Sequence, residues 1–104
     1  KDLVIRGGEN ISCIEVEAAI YEHSDVLEAC IIGIPDERLG EQVASAVHLK
    51  AGVDLSQEDI QKFLAGKIAA FKIPFEVRFF KDPLPKIASG KFDKPALRDI
   101  FSND

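Results

Sequence analysis

The chain has 104 residues, 46% of them hydrophobic and 30% charged, and a formal net charge of −5. That describes one ordered domain, able to hide roughly two-thirds of its unfolded surface. It excludes a membrane-spanning helix, since no apolar run nears the ~20 residues required, and an acidic chain without a dense basic run argues against nucleic acid as a partner.

The start, Lys1-Asp2-Leu3-Val4-Ile5-Arg6, has too short an apolar stretch for a signal peptide. Because it begins with Lys rather than Met, the chain reads as part of something longer. Cys13 and Cys30 form no CxxC and no framework, so both read as reduced thiols of a cytoplasmic protein. His23 and His48 are isolated and suggest no metal site. Charge is segregated: residues 1–60 carry 4 basic and 13 acidic groups (−9), and residues 61–104 carry 9 and 5 (+4), which sum to −5. An anionic ligand would be drawn to the second part, although segregation without a purpose fits equally well.

In chain order, Leu3-Val4-Ile5-Arg6 is a short strand by its branched residues. Gly7-Gly8-Glu9-Asn10 is a tight turn and Ile11 returns the chain, which gives a hairpin. Ser12 and Glu15 form a capping box for a helix running to about His23, with Val16, Ala19 and Ile20 on its inner face. Residues 26–35 and 41–50 read as strands. The second alternates Val43, Ser45, Val47 and Leu49 with Gln42, Ala44, Ala46 and His48, as in a half-buried antiparallel pair. Ser56 caps another helix, whose stripe is Ile60, Phe63, Leu64 and Ile68 and which Pro74 stops. Residues 75–80 are a third long strand. A last short helix begins near Lys94 or Pro95 and ends at Phe101. The pattern is α+β: an N-terminal β-hairpin followed by a small three-stranded sheet packed with about three helices.

Between that strand and that helix lies Leu84-Pro85-Lys86-Ile87-Ala88-Ser89-Gly90-Lys91-Phe92-Asp93-Lys94. Pro85 stiffens its start and Gly90 admits backbone angles closed to other residues. Lys91 then sits at a loop tip, where an ammonium can meet a carboxylate or phosphate; a plain solvated turn would look the same. A Walker A loop fails, because Pro85 stands where it needs Gly and Phe92 where it needs Ser or Thr. No G-x-S-x-G and no G-x-G-x-x-G occurs, so no self-contained pocket enzyme is visible.

The order of motifs resembles the C-terminal domain of AMP-forming acyl-CoA synthetases, in the adenylate-forming family that also includes luciferases and peptide-synthetase adenylation domains. The resemblance rests on Lys1 through Ile11 with Glu15-Val16-Glu17, Val26-x-Glu28-Ala29, Gly33-x-Pro35-Asp36-x-x-x-Gly40-Glu41, Phe71-Lys72-x-Pro74, and Leu84-Pro85-Lys86 through Gly90-Lys91. It covers residues 1–104. Gly-Gly-Glu-Asn-Ile is more similar to acyl- or aryl-CoA ligases than to peptide-synthetase domains, and Gly90-Lys91-Phe92-Asp93-Lys94 is similar to members acting on fatty or related acyl acids.

The resemblance implies a two-step reaction. ATP and a carboxylate give acyl-adenylate and pyrophosphate, and the CoA thiol then displaces AMP. The C-terminal domain rotates between the steps. By resemblance Lys91 is the adenylation lysine, with Gly90 giving it reach, and Lys1 and Asp2 form the hinge. Gly7 and Gly8 wall the pantetheine tunnel, and Glu9 orients the thiol or is a plain turn carboxylate. Phe71 and Lys72 lie where some relatives hold the nucleotide end of CoA; those have extra basic residues nearby, whereas Ile73 and Phe75 stand here. The ATP loops, any Mg²⁺ site and the acyl pocket would belong to an N-terminal domain, so this chain alone should be inactive. The alternatives are another adenylate-forming enzyme, or a non-catalytic interaction module with the same fold.

Overall fold

The computed structural model describes residues 2–103. In order the elements are β1 (Leu3–Arg6), β2 (Glu9–Ser12), α1 (Cys13–Tyr21), β3 (Val26–Asp36), β4 (Gly40–Leu49), α2 (Gln57–Leu64), a 3₁₀ turn (Ala70–Lys72), β5 (Glu76–Phe80) and α3 (Lys94–Ser102). The α+β class read from the sequence is what the chain adopts. The hairpin and the long strands join into one five-stranded sheet, ordered β2-β1-β4-β3, with β5 also on β4. β3 and β4 pair antiparallel from Val26↔Leu49 to Asp36↔Gly40, while β5 lies parallel to β4. β1 meets β4 at Arg6↔Gly40.

The sheet is a middle layer. On one face Val43 and Val47 of β4 pack with Val16 and Ile20 of α1 and Ile60 and Leu64 of α2. On the other, Ala44 and Ala46 pack with Cys30 and Ile32 of β3 and with Leu84, Leu97 and Phe101. The alternation in β4 therefore does not mark a half-buried strand, since residues 43–48 are all buried. Ala44 and Ala46 are small and lie within the cluster that β3, α3 and Leu84 close over that face, where small side chains permit close packing. Ser45, fully buried among the valines, has no hydrogen-bond partner for its hydroxyl among the described residues.

One capping detail and one helix end depart from the sequence reading, while Ser12 caps α1 as expected. Ser12 Oγ accepts the Glu15 N–H at 3.2 Å, but the reciprocal half of the box is not made, because the Glu15 carboxylate turns to Lys72 at 2.9 Å. The complete box belongs to α2, where Ser56 Oγ accepts from Asp59 N at 3.1 Å and Asp59 Oδ2 accepts from Ser56 N at 2.9 Å. α2 also stops at Leu64, well before Pro74. Ala65 is extended and Gly66 takes φ +87°, which ends the helix first.

α3 is fastened at its far end by Arg78 of β5. The guanidinium donates to the Ile100 and Phe101 carbonyls at 3.2 and 3.0 Å and lies 4.5 Å from the Phe101 ring centroid. It thereby satisfies carbonyls that have no partner within the helix. Among the described residues no helix is long and apolar enough to cross a membrane.

Candidate functional site

The segment between β5 and α3 is built as a small rigid hairpin. Leu84 is buried and its N–H donates to Glu28 Oε1 at 2.8 Å. Lys86 Nζ lies 2.5 Å from Glu28 Oε2 and 5.5 Å from the Phe92 ring centroid. Burial pushes the Glu28 carboxyl up, but the Lys86 ammonium and the Leu84 N–H outweigh it and hold the group below its ordinary value. Asp93 N–H returns to the Pro85 carbonyl at 2.8 Å, and Lys86 bridges to Phe92.

At the tip, Gly90 N donates to Ile87 O and Ile87 N to Lys91 O, both at 2.9 Å. A three-residue loop of this kind needs a left-handed residue in its last position, and Gly90 supplies φ +92°. Glycine is thus required by the turn itself. Lys91 follows, exposed, on a hairpin closed by these backbone bonds. Among the described residues nothing pairs with its ammonium.

Asp2, Glu17, Gly90, Lys91, Phe92 and Lys94 line an open hollow of about 490 Å³. Within it Lys94 Nζ holds both Asp2 carboxylate oxygens at 2.7 and 2.6 Å and lies 3.8 Å from Glu17 Oε2. Glu17 Oε2 also accepts the Ile31 N–H at 2.8 Å. Burial would lower the Lys94 ammonium, yet hydrogen bonding to Asp2 and the surrounding negative groups raise it above its ordinary value. Glu17 is raised too, chiefly by burial. Desolvation also pushes Cys13 to about 11 and Cys30 to about 12, so neither is a nucleophile at neutral pH.

Gly7 and Gly8 turn at the opposite end of β1, about 16 Å from Asp2 at the rise of an extended strand. Their φ values of +56° and +86° close the β1–β2 hairpin. Gly7 N donates to Leu39 O at 2.8 Å, and a Cβ on Gly7 would stand 3.1 Å from Leu39 Cδ2. A Cβ on Gly8 would meet nothing within 4 Å, so Gly8 offers bare backbone to the outside. Glu9 is exposed beside it. Phe71 packs partly buried against the main core, and Lys72, 5.8 Å from the Phe71 ring centroid, is engaged by Glu15.

The residues singled out from the sequence thus fall in three places. Asp2, Gly90 and Lys91 share the hollow; Gly7, Gly8 and Glu9 form the far turn; Phe71 and Lys72 lie on the 3₁₀ segment. Lys1 lies outside the described residues. Sequence reasoning missed Glu28, Glu17 and Lys94 as supports of the hollow, since Asp2 and Lys94 are 92 positions apart and no local pattern joins them.

An exposed lysine on a braced hairpin stands near one end of β1, and a bare glycine turn stands at the other. The chain belongs to the family of the AMP-binding enzyme C-terminal domain, whose profile it matches over residues 15–91. It is 42% identical over 99 residues to a mitochondrial medium-chain acyl-CoA ligase of Danio rerio, covering 95% of this chain and 16% of that protein. It is 46% identical over 101 residues to an oxalate–CoA ligase of Arabidopsis thaliana, covering 97% and 20%. Apo MatB from Rhodopseudomonas palustris superposes with a TM-score of 0.93 at 36% identity, covering 99% of this chain and 20% of that one. The chain therefore spans about a fifth or less of the length of these relatives.

Proposed function

We propose that residues 1–104 are the mobile C-terminal domain of an AMP-forming acyl-CoA synthetase. The observation that carries this reading is the placement of Lys91. It stands exposed on a braced hairpin, beside Asp2, with no described residue engaging its ammonium. A charge carried on a braced backbone and left unused by its own domain suits delivery to a site in another.

In the first step a carboxylate oxygen attacks the α-phosphorus of ATP and pyrophosphate leaves. Both reactants are anions. The Lys91 ammonium, bridging carboxylate and phosphate oxygens, offsets their repulsion and stabilises the charge built up in the transition state. Gly90 sets the direction of the lysine through its left-handed turn. In the second step the domain, turning about Lys1 and Asp2, withdraws Lys91 and presents Gly7 and Gly8. The CoA thiolate attacks the acyl carbonyl and AMP leaves. A turn without side chains lets the pantetheine arm lie against backbone, with Glu9 at its rim. Phe71 and Lys72 would lie toward the CoA nucleotide, with Lys72 exchanging Glu15 for phosphate. ATP, Mg²⁺ and the acid would be held mainly by the N-terminal domain, and the buried thiols fit a cytoplasmic protein.

A second reading changes the acceptor. The amide bond synthetase McbA from Marinactinospora thermotolerans superposes with a TM-score of 0.90 at 31% identity, so an amine could take the acyl group in place of CoA. Incubating the full-length protein with ATP and a panel of fatty and short carboxylic acids, with either CoA or amines, separates the two. CoA-dependent release of AMP with thioester formation supports the proposal. AMP release driven only by amines contradicts it.

A further inference from the structure

Asp2 is held in three ways. Its carbonyl accepts the Cys13 N–H at 3.1 Å. Its carboxylate takes Lys94 Nζ through both oxygens, at 2.7 and 2.6 Å. The next residue already pairs with Ser12 in the hairpin. Lys94 is the first residue of α3, three beyond Lys91, and its side chain is only 17% exposed. Glu17, equally shielded, stands behind it and is itself fixed by the Ile31 N–H. An exposed ion pair adds little. Here the ammonium is half-buried, so losing one carboxylate would leave a poorly solvated charge.

We propose that Lys94 is a positioning residue for adenylation: by clamping Asp2, it makes the start of β1 one rigid body with the Lys91 hairpin, so that Lys91 is carried at a fixed distance and angle from the point where the preceding chain arrives. This rests on the reading of Lys91 given above. Rotation of the domain is then absorbed at Lys1 and on the N-terminal side of Asp2, whose carbonyl and carboxylate stay fixed to the domain, and the lysine reaches its target without slack. The Gly7-Gly8 turn is located by other bonds, namely the β1–β2 ladder, Gly7 N to Leu39 O, and Ile5 N to Glu41. Releasing the clamp therefore disturbs Lys91 and spares the glycine turn.

The test uses the full-length enzyme and the variants Lys94→Met, Asp2→Asn, their combination, Lys94→Arg and, as reference, Lys91→Ala. Carboxylic-acid-dependent pyrophosphate release, thioester formation from supplied acyl-adenylate, and melting temperature are measured for each. Misplacing a reacting group slightly costs rate steeply. Lys94→Met and Asp2→Asn should each lower the kcat of adenylation about tenfold while thioester formation stays within about twofold. The combination should be no worse than either single change, and Lys94→Arg should recover most of the rate. Unchanged adenylation, parallel loss of both half-reactions, or multiplying losses would overturn the proposal. If Lys91→Ala keeps full adenylation, the underlying reading of Lys91 fails. If Lys91→Ala abolishes adenylation while Lys94→Met behaves as wild type, only the clamp fails.

Discussion

Glu41 Oε1 accepts the backbone N–H of Ile5 at 2.9 Å, and so completes a junction between β1 and β4 that has Arg6↔Gly40 as its register pair. The carboxylate reaches Ile5 by lying across Gly33 of β3. A Cβ on Gly33 would stand 2.6 Å from Glu41 Oε2 and 2.9 Å from Oε1. Gly33 is therefore glycine to admit a side chain that substitutes for missing strand pairing.

Gly33→Ala should displace that carboxylate and loosen the hairpin from the sheet. Losing a hydrogen bond to a charged group costs about 1.5–3 kcal/mol. Urea unfolding of the 104-residue chain should show a lower midpoint, and hydrogen exchange at Ile5 should quicken more than in the middle of β3. An unchanged Ile5 exchange rate would contradict the role given to Glu41.

Ser45 makes the opposite prediction. Its hydroxyl is buried without a partner, so it is desolvated for no return. Ser45→Ala should stabilise the chain by about 1 kcal/mol in urea unfolding. A loss of stability would mean that the hydroxyl is satisfied after all.

The Lys94 cluster gives a pH signature. The ammonium is raised above its ordinary value of 10.5 by Asp2 and its neighbours, against the opposing effect of burial. A basic group raised on folding contributes stability that is complete below its unfolded pKa and is lost as pH rises through the folded one. The stability difference between wild type and Lys94→Met should thus be flat from neutral pH to about 10 and shrink above it. Glu17, raised above its ordinary value mainly by burial, has the same sign, so its protonated form favours folding and that advantage is lost as pH rises through its folded pKa. Cys13 and Cys30, at about 11 and about 12, should resist iodoacetamide at pH 8 until the chain unfolds. Rapid labelling of native protein would contradict their burial.

On the proposed reading, Gly8→Leu isolates the second step. A Cβ on Gly8 meets nothing within 4 Å, so the first cost of a side chain is the strain of φ +86°. That costs about 1–2 kcal/mol. In the full-length protein the melting temperature should fall slightly, whereas thioester formation from supplied acyl-adenylate should fall at least about tenfold if the added isobutyl group obstructs the proposed pantetheine path. Normal CoA use would remove Gly8 from the tunnel wall.

Much of this was legible in the sequence. The hairpin, both long central strands and α3 follow from glycine pairs, β-branched alternation and Pro95, which are local signals. The end of α2 was misread because Pro74 is the louder breaker, although Gly66 acts first. The two-sided burial of β4 was missed because alanines at 44 and 46 read as neutral; only the position of α3 makes them core. The lysine and the glycine turn came from motif order. Their supports did not: Glu28, Glu17 and Lys94 act through contacts with residues distant in the chain, where spacing carries no information.

The measurement closest to the central claim is the pair of half-reactions in full-length Lys91→Ala. Removing a preorganised charge donor costs on the order of 10²–10³ in rate. Carboxylic-acid-dependent pyrophosphate release should drop by about that factor, with thioester formation from supplied acyl-adenylate close to wild type. Intact pyrophosphate release, or equal loss of both half-reactions, would contradict the assignment of Lys91 as the adenylation lysine.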